Sequence, residues 1–388
     1  MSHQYDYIIA GAGAAGLSLA WELLHSPLRD KEVLIVDSDL EPKNEKTWCF
    51  WDSGAPPFED IIYKKWNQIE LSIFGEHVVQ YLDHYPYYCL RSIDFKMKVF
   101  EALESVQNFT LKEMDIVDIT PTSAGATLVT SDHSYTAEYI FQSCFLPHEH
   151  LQSTPNYPLV QHFLGWEIQC QKAIFDDSIL TLMDFDETVD DYLAFMYLLP
   201  WSTKTGLIEY TVFSDQLLEK KEYEEKISLY LNNRFGLQPI HYNITRREFG
   251  KIPMQDRPFV PWYKPNILNI GTVGGRTKPS TGYTFKRIQQ QVKDIVAGLS
   301  TDEHPKADPP SQKRYRAYDL WLLHIIHNHP EEARKVFNHL FKNNSIDEIF
   351  RFLGEETTIM QDLHIMSSVP YLPFLHAIWE SRDRIWEI

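Results

Sequence analysis

An α/β fold is what this chain predicts, with one Rossmann-like domain, a second domain built on a mixed sheet, and a helical region at the C-terminal end. Three observations carry the prediction. A strand, a glycine turn, a helix and a second strand ending in an acid open the chain. Another apolar strand runs into a glycine-rich turn and a helix near residue 271. Between them, residues 159–253 alternate as sheet strands, and helical periodicity fills the end.

The opening stretch "DYIIAGAGAAGLSLAWELL" reads as a strand (Tyr7 to Ala10), a turn made of Gly11, Ala12, Gly13, Ala14, Ala15 and Gly16, and a helix with Leu17, Trp21 and Leu24 on one face. The next strand, "EVLIVDSD", ends in Asp37, 21 positions after Gly16, where an acid can accept hydrogen bonds from an adenosine ribose. Glycines at these positions let backbone N–H groups approach a pyrophosphate at a helix N-terminus. The pattern predicts binding of FAD or NAD(P).

The second turn, "GTVGGRTKPSTGYTF", narrows this choice. FAD enzymes with an N-terminal fingerprint often bring a late strand and turn onto the flavin ring, and Ile267 to Thr284 fits that job. A helix is predicted to begin near Thr281, burying Phe285, Ile288, Val292 and Ile295, with Gly298 as its C-cap. Its positive end would favour an anionic, reduced flavin. Gly271, Thr272, Pro279, Thr281 and Gly282 are the flavin-side candidates, with Arg91 of "YYCLRS". Many such proteins end the strand Gly-Asp, whereas this one has Gly271-Thr272, and a bare strand-to-helix turn would use the same punctuation.

The nucleotide domain is predicted to be discontinuous, at 1–45, 86–150 and 254–304. The substrate domain takes 46–85 and 151–253, including "FLGWEIQC", "SILTLMDF", "LAFMYLLP" and "TGLIEYTVFS", then a charged helix. The proline-rich "PKADPPSQK" links to a C-terminal helical region, 305–388.

Composition excludes several functions. A net charge of −18 argues against a nucleic-acid partner and gives no pull toward anionic lipid. Cys49, Cys89, Cys144 and Cys170 form no CxxC pair, so neither zinc nor a disulfide framework is expected, nor any other metal. "MSHQYDYIIAGAG" lacks a leader pattern, and the longest apolar run, "YLAFMYLLPW", is too short to span a bilayer. A cytoplasmic location follows as an expectation. The 14% aromatic content suits an apolar or cationic guest, although core packing uses the same rings.

Several phrases occur together in order: "NEKTWCFW", "YYCLRSIDF", "LGWEI", "TLMDF", "MYLLP", "LIEYTVFS", "GKIPM" and "GGRTKPSTGYTF". In this combination, over nearly the whole chain, the sequence resembles the flavin-dependent lycopene cyclase family of carotenoid biosynthesis, closest to the bacterial β-type. The resemblance implies a p-hydroxybenzoate hydroxylase or glutathione reductase-like FAD domain. It implies an isomerase that closes the ends of lycopene, or a related acyclic carotenoid, into β-ionone rings, giving γ- and β-carotene. Reduced FAD (FADH2) would be required but not consumed, NAD(P)H would be the external reductant, and contact with membrane lipid would be peripheral.

Ring closure needs an acid to protonate a terminal alkene, a shelter for the cation, and a base. Glu209 of "LIEYTVFS" matches the family's catalytic glutamate, and an unpaired carboxyl in an apolar sheet would stay protonated. Alternation puts Leu207, Glu209 and Thr211 on one face, which without the resemblance reads as a solvent face. Asp184 of "TLMDF" is the second carboxylate, as positioner, base or turn residue. Tyr197, Trp201 and Tyr210 could offer ring faces to the cation or simply fill the core. Related enzymes often carry a second acid where Tyr210 stands, so no adjacent-carboxylate mechanism is assigned.

Glu355 and Glu356 of "FLGEET" are read as helix surface. In "KRYRAYDLWLLHIIHNH", Tyr318, Trp321, Leu322, Ile325 and Ile326 share a face behind Lys313, Arg314 and Arg316, which suits either an interfacial helix or one packed on the core. Two other functions stay open. One is an FAD- and NADPH-dependent monooxygenase or epoxidase acting on an apolar isoprenoid, whose usual Asp-Gly and Gly-Asp pairs are missing from "YIFQSCF" and "IGTVGG". The other is a flavin- or carotenoid-binding protein without turnover.

Overall fold

The computed structural model describes residues 3–145, 155–186, 192–301 and 304–386. Its eight-stranded sheet has the opening strand His3–Ala10 at its centre, parallel to Val33–Asp37 on one side and to Ser134–Gln142 on the other. Ile8, Ile9, Leu34 and Ile35 are fully buried. Each such side chain contributes about 1.5–3 kcal/mol when taken out of water. The apolar runs therefore form interior parallel strands, with helix Ala14–Leu24 over one face.

The late strand Ile267–Asn269 adds in parallel to Ser134–Gln142, which brings the second glycine turn to the same end of the sheet as the first. Gly271, at φ +65°, marks the contact: a Cβ there would come within 2.6 Å of the Ala15 methyl. The predicted helix begins at Phe285 rather than Thr281 and runs to Thr301. Gly298 lies inside it, not at its cap, and a Cβ there would meet the His304 carbonyl at 2.7 Å. Its role is close approach of the following chain.

A seven-stranded sheet forms the second layer, with Tyr242–Met254, Leu159–Cys170, Thr205–Ser214, Leu193–Pro200 and Ile179–Asp184 side by side, then Gln68–Ile73 and Glu76–Tyr81. One face packs on helix Lys220–Phe235 through Ile208, Tyr210, Val212, Tyr223 and Ile227. The other face is covered by the C-terminal helices Lys313–Asn328, Pro330–Asn343 and Ile346–Leu353. Thr47–Trp51, Lys64–Trp66 and Tyr87–Arg91 form a separate three-stranded sheet that straddles the boundary predicted at 85/86. The boundary predicted at 150/151 lies outside the described residues.

Candidate active site

Where the two glycine turns, the seven-stranded sheet and the C-terminal helices meet, the chain encloses a cavity of about 700 Å³. Its two ends differ in chemistry. One is lined by Ala12, Gly13, Ala14, Asp37 and Lys46, the other by Leu182, Phe195, Phe213, Phe341 and Phe374. Glu209 and Tyr197 line the wall of the same cavity.

The polar end has the shape of a dinucleotide cradle. Gly16 is required by packing, since a Cβ there would meet the Gly11 carbonyl at 1.9 Å, whereas Gly13 has open space where its Cβ would be. Gly13 also caps the first helix without a side-chain bond, leaving the leading amides for an anion. Asp37 Oδ2 accepts the Ala12 N–H at 2.5 Å, fixing the turn against the second strand. Thr272, Thr281 and Gly282 line the cavity as well. Thr281 Oγ1 and Gln161 Oε1 are buried without hydrogen-bond partners among the described residues. Two orphaned polar atoms facing a cavity are what a ligand with complementary polar groups would satisfy, so the residues present fit FAD.

Gly11, Ala15, Gly16, Gly271 and Pro279 shape the two turns without lining the cavity. Arg91 does not reach it: the guanidinium pairs with Asp94 and lies 3.9 Å from the Tyr63 ring centroid.

Glu209 sits mid-strand, opposite Tyr197 on one neighbour and Gly165 on the other. The strand is buried on both faces, so the solvent-face reading of Leu207, Glu209 and Thr211 is corrected: these residues face the cavity side, under the C-terminal helices. Burial foremost, then the nearby Glu248, pushes the Glu209 carboxyl well above the usual carboxylate range. Both causes favour its proton-bearing form.

Asp184 is buried too, but it does not line the cavity. Its Oδ2 accepts from Arg234 and, at 3.2 Å, from the Tyr230 hydroxyl, while Oδ1 accepts the Asp186 N–H at 3.1 Å. Arg234 also bridges to Glu70. Asp184 thus anchors helix Lys220–Phe235, and its assignment as second carboxylate of the reaction is corrected. Tyr210 packs on that helix, 6.2 Å from the Tyr223 ring, and Trp201 packs against Tyr63 and Trp66. Neither lines the cavity. Of the three proposed ring faces only Tyr197 does.

Residues that sequence reasoning missed complete the wall. Tyr87 hydrogen-bonds through its hydroxyl to both Tyr197 (2.9 Å) and Tyr283 (2.8 Å). Glu248 is buried and held by the Thr47 N–H and hydroxyl, at 2.8 and 2.7 Å, and by Arg246 at 2.7 Å. Glu355 is not helix surface: it follows the helix end at Leu353 and bonds to Lys278 and Arg287, each at 2.9 Å, and to Ser311. Burial opposes its charge, yet Lys278 and Arg287 hold its carboxyl below the usual range. Glu356 reaches Tyr85 and Lys286. Lys278 bonds to Asp319 as well, so the second glycine turn is tied to the C-terminal region by buried charge.

Helix Lys313–Asn328 is a packed helix: Ile325 and Ile326 are buried, and Tyr318, Trp321 and Leu322 line the cavity. Exposed apolar side chains appear instead on the last two long helices, at Ile359, Met360 and Leu363 and at Tyr371, Leu372, Leu375 and Trp379. Among the described residues no helix is long and apolar enough to cross a membrane, and no group of three His, Cys, Asp or Glu could hold a metal ion.

Residues 6–379 match the family model described as lycopene cyclase protein. No curated protein matches the chain in sequence. Among solved structures, a flavin-dependent brominase is similar with a TM-score of 0.66 at 13% identity, covering 98% of this chain and 100% of that one. A geranylgeranyl bacteriochlorophyll reductase-like protein from Thermoplasma acidophilum gives 0.61 at 10% identity over 99% and 100%. A p-nitrophenol 4-monooxygenase from Pseudomonas putida gives 0.59 at 12% identity over 99% of both chains. These likenesses establish a Rossmann-type α/β architecture shared with flavin-dependent monooxygenases and halogenases.

Proposed function

The chain belongs to the lycopene cyclase protein family, and from that premise we propose that it is a lycopene β-cyclase, closing the ψ-ends of lycopene to β-ionone rings with no net redox change. The observation that supports this best is Glu209: a buried carboxyl, raised by burial and by Glu248, on the wall of a cavity whose other end fits a dinucleotide. FAD is the cofactor the fit favours, held by the Gly11–Gly16 turn, Asp37, Thr272, Thr281 and Gly282. When bound, a reduced flavin would supply negative charge able to stabilise a cation.

The protein's own residues do the rest. Glu209 donates its proton to the terminal alkene, and the tertiary cation is attacked by the neighbouring double bond. The cyclic cation then loses a proton, and the carboxylate left at Glu209 is the acceptor the cavity offers, so one group serves as acid and base. Tyr197, opposite Glu209 in register, presents a ring to the positive charge. Phe195, Phe213 and Phe341 exclude water, which would otherwise trap the cation as an alcohol.

The substrate dissolves in bilayers rather than in water, and the exposed apolar side chains of residues 359–379 are where the protein would meet lipid peripherally. Trp379 is 69% exposed, with Arg382 stacked 4.6 Å from its ring centroid, the pairing of an amphipathic ring and a cation found at membrane interfaces. Met366, Val369 and Phe374 line the cavity and are themselves partly exposed, so the cavity wall reaches the surface beside this patch.

Anaerobic turnover tests the function. Purified protein with dithionite-reduced FAD and lycopene in liposomes should yield γ- or β-carotene of unchanged mass. No product without oxygen, but one heavier by an oxygen atom with NADPH and air, would make it a monooxygenase. Retention of lycopene without conversion under either condition would make it a binding protein.

A further inference from the structure

Glu209 does not stand upright on its strand. Gly165 lies beside it in register, and a Cβ at 165 would meet Glu209 Cγ at 2.8 Å and Oε1 at 3.2 Å. The carboxyl therefore leans across the glycine, toward the next strand. What Gly165 faces there is Glu248. Three adjacent strands thus present Glu209, no side chain, and Glu248 in a row, and the middle vacancy is filled by the Glu209 side chain together with a Leu207 methyl.

We propose that Gly165 and Glu248 are positioning residues for Glu209: the glycine gives the carboxyl its seat, and Glu248, fixed across it, sets the charge that this seat faces. This rests on the reading of Glu209 as the acid. Glu248 can play the part because its own partners fix it in place. It is 2% exposed, accepts from Thr47 twice, and pairs with Arg246, whose guanidinium is shared with Glu167. The negative charge is thereby buried and immobile, the condition under which it acts strongly on a neighbour.

The other groups facing Glu209 are accounted for. Arg246 is the opposing cation, and burial and the Glu248 carboxylate outweigh it. Tyr197, Tyr87, Tyr283 and Cys49, from the adjoining strands and turn, line the same cavity. Glu167 lies two pairs further along, opposite Leu207.

The experiment is an infrared titration of the protonated-carboxyl band of the whole protein, assigned to Glu209 by its loss in E209Q, alongside the pH profile of kcat. In E248Q the midpoint of both should fall by on the order of one pH unit. E248D, which retains the charge, should restore the midpoint. E167Q should shift it less. G165A should leave the E209Q-sensitive band in place but lower kcat about tenfold at every pH, because the acid is displaced.

An unmoved midpoint in E248Q, whatever its effect on melting temperature, would overturn the proposal, as would equal shifts in E167Q and E248Q. Wild-type turnover by E209Q would instead sink the assignment of the acid. The band midpoint would still decide whether Glu248 acts on Glu209.

Discussion

The two faces of the seven-stranded sheet each bury a carboxylic acid, and they treat it in opposite ways. On the helix side, Asp184 meets Arg234, Tyr230 and a backbone N–H. On the cavity side, Glu209 meets a glycine, a tyrosine and another carboxylate. For both, burial is the leading cause of a carboxyl shifted upward. What separates them is the partner: Arg234 bonds Asp184 directly and ties it to the fold, whereas the cation near Glu209, Arg246, is paired with Glu248 and Glu167 and is outweighed by burial and the Glu248 carboxylate. Burial and a displaced titration do not by themselves separate the two acids; of the pair, Glu209 alone lines the cavity.

If this contrast is right, removing each acid breaks a different property. The largest effect is expected for E209Q, with kcat lower by about 10²- to 10⁴-fold, the usual contribution of a general acid, and little change in thermal stability at acid pH. D184N should do the reverse. Weakening the hold on Arg234, which keeps Glu70 as a partner, should destabilise the fold by about 1–3 kcal/mol. Denaturant titration should register that loss, while kcat per folded molecule stays near wild type.

Titration sharpens the comparison. Glu209 is raised in the folded state, so the stability gained from keeping it neutral is fully present below its unfolded value and is lost as pH rises through the folded one. Activity falls over the same upper limb, because the acid has lost its proton. E209Q should abolish that alkaline loss of stability, measurable as a difference in melting temperature that widens with pH.

Smaller effects separate the cavity from its frame. G13A would place a methyl group in open space at the cradle, and should weaken FAD retention about tenfold with unchanged folding, read by flavin fluorescence. Replacing Leu375 and Trp379 with serine should reduce sedimentation with liposomes and raise KM for vesicle-borne lycopene without altering kcat. Tyr210, on the helix side with its ring against Tyr223, should tolerate phenylalanine with a stability change of about 1 kcal/mol or less and no change in turnover.

The dinucleotide turn was legible in the sequence because its physics is local. Strand, glycine spacing, helix and Asp37 all lie within 37 residues, and each follows from backbone conformation. Glu209 was legible only through its phrase. Alternation separates two faces of a strand but cannot say that both are covered, and the cover here comes from helices more than a hundred residues later in the chain.

Asp184 misled for a related reason, since its direction depends on a strand register and on Arg234, which the sequence does not place. Glu248 was missed among the charges of "RREFGKIPM", although Gly165 and Gly250, both mid-strand, were the available signal of close approach on one face. The apolar face of residues 313–328 was read correctly as a face. Periodicity does not reveal what covers it, and the uncovered apolar surface turned out to lie on the helices after residue 358.

The most direct test of proton transfer from Glu209 is turnover in D2O under anaerobic conditions with reduced FAD, with products weighed by mass spectrometry. The account predicts that each ring gains about one solvent deuterium, as expected when an exchangeable acid delivers the proton, and that E209Q closes rings at least about a hundredfold more slowly. Rings closed without deuterium, or closed by E209Q at the wild-type rate, would contradict it.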